Sequence, residues 1–193
     1  MTFTPTFDLK ADKILNTNYF ALLLAMMLDQ QIPLERAFMG PYLLEQRLNR
    51  KITPKLLNGI DTLELIDAFC QSPSLHRFPK SMAERAKALS ETIVRDFNSN
   101  VELIWDPKLP ADQVIKNLKS LPGFGEQKAK IFLALLAKQF DIKPVGWEKA
   151  SEPYGKKQVY LSVADIDSKL AYSKVKETKK AMKLAKLNPG GAL

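Results

Sequence analysis

The string Leu121-Pro-Gly-Phe-Gly125 carries the most chemistry in this chain of 193 residues. Glycines at alternate positions allow φ > 0 and close backbone approach. Phe124, between them, can plug the angle between two helices. An amphipathic segment precedes the string and a second helical segment follows at once. The turn then leaves the amides of Gly123, Gly125 and the first residues of the next helix pointing outward. Free amides at a helix N-terminus form an anion site. Lys128 and Lys130 lie one turn further on and add positive charge. Together these parts read as a phosphate-backbone clamp that ignores base identity. Trp147 and Tyr154 are able to stack on a base or to pack in a core. His76, the only histidine, has no ligand partners around it, so no metal site is expected. Cys70, the only cysteine, excludes an intramolecular disulfide, a cysteine-ligated zinc site and an iron–sulfur cluster within the chain. It is expected to be a small core residue.

The hairpin string, followed by Lys128-Ala-Lys-Ile-Phe-Leu133, resembles the helix-hairpin-helix of the HhH-GPD superfamily of DNA glycosylases, of the endonuclease III and 3-methyladenine glycosylase II type. Upstream, Ala25-Met-Met-Leu-Asp-Gln-Gln-Ile32 resembles that family's early buried helix, which ends in a glutamine pair. Phe78-Pro-Lys-Ser-Met-Ala-Glu-Arg-Ala-Lys-Ala-Leu89 resembles the helix that leads towards the hairpin. Order and spacing agree from about Tyr19 to Trp147. The resemblance implies an all-α, two-lobed fold with a basic cleft that receives a flipped base. It implies that Gln30 or Gln31 fills the gap the base leaves, a role that competes with an ordinary polar helix end. It implies no metal and no organic cofactor.

The same resemblance exposes departures at the catalytic positions. The lyase-capable members have a lysine two residues after the second glycine, where this chain has Gln127. An amide is not a nucleophile, so no covalent imine with abasic DNA is expected. Lys128 is one helical step away, rotated by about a quarter turn, and is expected to contact phosphate or solvent. The family's aspartate falls on Gly146, in Lys143-Pro-Val-Gly-Trp-Glu148, and a glutamate that some members carry on the early helix falls on Met26. A carboxylate is needed near the sugar to stabilise positive charge and activate water. Glu148 and Asp165 are the candidate substitutes. Asp141, five residues before Gly146, is a further substitute, and Asp29, beside Gln30, is either another carboxylate near the expected cleft or an ordinary helix-end residue.

Composition fits a soluble globular chain: 46% apolar, 26% charged, 8 Gly and 12 Pro. Lys plus Arg exceeds Asp plus Glu by eight, which favours polyanions, and much of the excess lies after Ser168. The apolar run Tyr19–Leu28 is too short to span a bilayer, so no membrane partner is expected. One thiol and no leader pattern suggest a cytoplasmic, nucleoid-associated protein. The apolar spacing is mostly three-and-four and predicts helices throughout. They are expected from about Asn18 to Gln30, after Pro33 with a bend at Gly40–Pro41, after Thr53–Pro54, from Asp61 through Cys70, and from Met82, behind a Ser81–Glu84 capping box, to about Phe97. The hairpin should occupy 111–139, with helices Ala111–Ser120 and Glu126–Gln139. Val159–Val163 reads as a short extended piece. Asp167 or Ser168 should cap a basic last helix to about Leu187, stopped by Asn188-Pro189-Gly190-Gly191. The expected organisation is an HhH-GPD-like helical core at 18–147, with 1–17 and 148–193 flanking it.

The function these readings favour is a monomeric base-excision repair protein that binds double-stranded, damaged or abasic DNA. If active, it hydrolyses the N-glycosidic bond of a damaged base. The alternatives are a non-catalytic helix-hairpin-helix protein that recognises distorted DNA, and a basic module for RNA.

Overall fold

Nine consecutive residues, Phe20 to Leu28, are buried, because the helix that carries them is covered on every side. The computed structural model describes residues 3–187, and among them every regular element is helical. Helix α1 (Leu9–Thr17) is capped by Asp8, and α2 (Tyr19–Leu28) by the Asn18 side chain, which accepts from the amides of Phe20 and Ala21. Helix α3 (Leu34–Leu48) runs without a break through Gly40 and Pro41. It sits so close to α2 that a Cβ on Gly40 would lie 2.7 Å from Leu28 Cδ1. Helices α4 (Pro54–Gly59) and α5 (Thr62–Cys70) begin where Thr53 and Asp61 were expected to cap them. Helix α6 (Pro79–Asp96) starts two residues before Ser81, with no side-chain cap. Proline at the first position has no amide to satisfy, so the helix extends past the Ser81–Glu84 spacing.

A short 3₁₀ turn at Val101–Trp105 leads to α7 (Ala111–Lys119) and α8 (Glu126–Gln139), the two arms of the hairpin. Helix α9 (Trp147–Ala150) is one turn long. The segment expected to be extended leads instead into a 3₁₀ turn, Val163–Asp165, because Ser162 and Asp165 cap each other's backbone there. Helix α10 (Lys169–Leu187) follows, and Ser168 Oγ accepts from the Ala171 amide. The expected stop at Asn188–Gly191 lies outside the described residues.

The contacts fall into two sets. Helix α2 packs on α1, α3 and α6, and α6 also holds α4 and α5. Helix α8 packs on α7, α9 and the Val163–Asp165 turn, which in turn holds α10. One apolar cluster joins everything, and it includes Phe3 and Leu15 before the expected core as well as Val163, Ile166 and Val175 after it. Phe3 is fully buried, edge-on to Phe38 and Phe140; burial of a side chain of that size stabilises by about 2–3 kcal/mol. Helix α1 has mixed charge and a single apolar stripe, and sequence reading missed it. Among the described residues no helix is long and apolar enough to cross a membrane.

Candidate nucleic-acid interface

The hairpin turn is fixed by its first glycine. Gly123 has φ +86°, and a Cβ there would lie 2.8 Å from Met27 Cγ and 3.1 Å from Arg85 Cδ. Conformation and packing against α2 and α6 both demand glycine. Phe124 is buried and meets Phe132 edge-on at 5.9 Å, so it is a plug rather than a surface contact. Gly125 differs from the expectation. Its φ is −87° and ψ −179°, extended backbone that any residue adopts, and nothing lies within 4 Å of its Cβ position. The space over Gly125 is open to an incoming group.

Gly125 is also the N-cap of α8, and no side chain caps that helix. The amides of Glu126, Gln127 and Lys128 meet no acceptor among the described residues. Orphan amides together with the helix dipole favour an anion here. Glu126 adds a negative charge, offset by Lys119 at 2.5 Å and Lys130 at 3.3 Å. The hydrogen bond from Lys119 holds the Glu126 carboxyl below its ordinary range. Lys130 therefore faces Glu126 and a separate hollow by Asp112 and Gly146, away from Lys128.

A cleft of about 670 Å³ opens between the two sets of helices. The end of α2 supplies Asp29, Gln30 and Gln31, α8 supplies Gln127 and Lys128, and Tyr154 and α10 complete it. Gln127 Nε2 donates to the Tyr154 hydroxyl at 3.0 Å. Lys128 corrects the expectation of a solvated or phosphate-bound amine. Its side chain turns inward, and Nζ donates to the Met27 carbonyl at 2.7 Å, closing the C-terminal end of α2. Burial lowers its pKa from 10.5 to about 8, opposed by the nearby Asp29 charge and assisted by Arg85.

The glutamine pair divides its duties. Gln30 is tied down: Nε2 donates to Met27 O at 3.1 Å, and Oε1 accepts from Arg85 at 3.4 Å. Gln31 is exposed at φ +55°, a conformation a glutamine holds only when its surroundings impose it. His76 imposes part of it. Buried at 1% exposure, its Nε2 contacts the Gln30 carbonyl at 2.8 Å and its Nδ1 accepts from the Phe78 amide at 3.0 Å. These partners fix a neutral ring with the proton on Nε2. Desolvation is the main cause that lowers its pKa below 6.5, aided by the Arg36 and Lys128 charges and opposed by the bond to Gln30.

A depressed folded-state pKa means that the unfolded chain binds the extra proton more readily. The stabilisation is whole above the unfolded value of 6.5 and is lost as pH falls through the lower folded value. Chemical denaturation at about pH 7.5 and about pH 5.5 should show a larger acid loss for the parent than for His76→Gln, which cannot titrate. Equal losses would separate His76 from the effect.

Neither expected carboxylate reaches the cleft. Asp165 is 9% exposed; Oδ1 accepts from Lys138 Nζ at 2.6 Å and Oδ2 from the amides of Leu161 and Ser162. Its lone pairs are spent on the turn that seats α10. Glu148 is exposed on α9 and does not line the cleft. Gly146, where the sequence resemblance puts an aspartate, has φ +83° and caps α9, so that residue serves a turn. Asp141 is exposed and paired with Lys143. Trp147 is half-buried against the core, and Met26 is a buried residue at the cleft floor. Cys70 is exposed at the end of α5, not in the core as expected, because the apolar face of that helix is filled by Leu65, Ala68 and Phe69.

The cleft also holds residues that sequence reading did not assign to it: Pro153, Leu161, Lys179 and Met182. No family model matches the chain, and no curated protein or solved structure matches it.

Proposed function

We propose that the chain is a DNA-binding protein of helix-hairpin-helix type that takes an extruded nucleotide of damaged duplex DNA into its cleft and hydrolyses the N-glycosidic bond, with Asp29 as the carboxylate. The observation that carries this reading is the company Asp29 keeps. It is the only carboxylate among the described residues that line the cleft, and the unpaired amides of α8 open beside Gln127 and Lys128 of the same cleft. The +8 net charge, the buried hairpin plug and the two sets of helices support the two-lobed HhH-GPD arrangement.

In the reaction, the bond from the sugar carbon to the base nitrogen breaks and the electron pair leaves with the base. The sugar becomes oxocarbenium-like, and a carboxylate beside it lowers the barrier. Water adds to the sugar carbon, and its proton passes to the carboxylate and on to solvent or the base. In this reading Gln31 fills the vacated stack and the α8 amides hold a flanking phosphate. The test is single-turnover base release from duplexes with alkylated, oxidised or deaminated bases, alongside binding. Tight binding without release from any of them would leave a non-catalytic recogniser of distorted DNA.

One observation favours a second activity at the same site. Lys128 offers an amine with a pKa of about 8 inside the cleft. A neutral amine attacks the aldehyde of an abasic sugar, and loss of water gives an imine that borohydride reduces. Gln127 is an amide and unreactive, and Lys179 also lines the cleft, so the Lys128→Ala variant assigns the chemistry. Trapping should rise with pH through a midpoint at about 8, as the amine loses its proton, and vanish in Lys128→Ala. No adduct at any pH would confine Lys128 to closing the end of α2.

A further inference from the structure

Six of the chain's eight net positive charges sit on one helix. Helix α10 carries seven lysines against a single glutamate, Glu177, and the rest of the chain is nearly balanced. Lys169, Lys176, Lys179 and Lys180 fall within about a third of the helix circumference at 100° per residue. Like charges at such spacing repel one another along a helix, and the stripe has little acidic company. Lys176 reaches Glu35 at 3.7 Å, while Lys179 and Lys180 are exposed without an acidic partner among the described residues.

The first half of α10 is firmly seated. Ala171 and Val175 are buried, Tyr172 meets Phe7 edge-on at 5.4 Å, and Lys174 lies over the Tyr160 ring at 4.6 Å. Beyond Thr178 the described residues are exposed, yet Lys179 and Met182 form part of the cleft wall that also includes Asp29 and Lys128. A 19-residue helix is about 28 Å long, the span of roughly eight base pairs at 3.4 Å each.

We propose that α10 is a rail for the phosphate backbone of duplex DNA, which carries most of the salt-dependent affinity and leads the strand into the cleft. The inference rests on the reading of the cleft as a DNA site. Charge complementarity and continuity with the cleft single out this occupant. A lipid surface would need a continuous apolar face beside the lysines, whereas the exposed Leu170 and Leu184 lie near opposite ends of α10 and Met182 lines the cleft.

The experiment titrates a labelled duplex, with and without an abasic analogue, against the full chain across a salt series. It compares the parent with a variant carrying Lys169→Gln, Lys176→Gln, Lys179→Gln and Lys180→Gln, and with a second in which the same lysines become Arg. Each released phosphate contact contributes about 0.9 to the slope of log affinity against log salt. The Gln variant should be shallower by about 3–4 and bind about a hundredfold more weakly at low salt. The Arg variant should bind like the parent, which separates charge from fold. Parental slope and affinity in the Gln variant would overturn the rail and leave the cleft reading standing. A parent that binds no duplex would overturn both. A parent that prefers phosphatidylserine vesicles to duplex would overturn the rail in favour of a membrane surface.

Discussion

Replacing Asp29 by Asn should lower single-turnover base release by about 10²–10⁴-fold while duplex affinity holds. The substitution keeps the size of the side chain and removes its charge. Asp29 is half-buried at the C-terminal end of α2, where its charge acts on the Lys128 amine. On the proposed reading binding energy comes from phosphate contacts elsewhere, so loss of this charge should leave affinity alone or raise it slightly. Glu148→Gln and Asp165→Asn are the informative controls. Glu148→Gln should leave release unchanged, because its side chain lies outside the cleft. Asp165→Asn should destabilise the fold by leaving the half-buried Lys138 without its charged partner at 2.6 Å. A parent-like rate in Asp29→Asn, with release lost in Glu148→Gln, would move the chemistry to the α9 side of the hairpin.

The two hairpin glycines should respond to the same substitution in opposite ways. Gly123→Val is expected to destabilise the fold by about 2–4 kcal/mol, through a left-handed backbone that valine disfavours and overlap with Met27 and Arg85. For a chain of this length that lowers the melting temperature by roughly 5–15 °C. Gly125→Val meets an extended backbone and empty space, so its stability should fall by about 1 kcal/mol at most, the cost of a poorer N-cap. Its side chain would then fill the open space over the α8 amides, where the proposed function puts a phosphate. Duplex affinity should drop at least tenfold in a protein that melts close to the parent temperature. Thermal melts and binding isotherms on both variants check the pair. Unaltered binding by Gly125→Val would show that the amides do not hold DNA.

The hairpin was legible because several local signals agree there. Proline before Ala111, apolar periodicity on both arms and glycines between them place α7 and α8 to within a residue. The same logic misled at α6, where the Ser81–Glu84 spacing competed with Pro79 and lost. It also misled at Gly125, since alternate glycines look alike in sequence and only Gly123 adopts positive φ. The inward turn of Lys128 could not be read from the chain. Its partner is the Met27 carbonyl, 101 residues away. The cleft carboxylate was half legible: Asp29 stood beside the glutamine pair, but its isolation in the cleft depends on where Glu148 and Asp165 fold. The lysines after Ser168 were conspicuous as charge, while their proximity to the cleft follows from the Val163–Asp165 turn that seats α10.

Helix α8 is held at both ends by its own lysines. Near its start Lys128 grips the end of α2, and near its finish Lys138 binds Asp165 while Gln139 holds the Ala164 carbonyl at 2.9 Å. Mechanically it is a rocker, about 21 Å long, with the amide end at one tip and the footing of α10 at the other. A tilt of about 5° around its midpoint displaces each tip by roughly 1 Å in opposite directions. A rigid-body tilt that moved the amide end would therefore move the footing of the lysine helix the opposite way. A change of volume at the buried pivot, around Leu133, retunes both tips together and cannot adjust one alone.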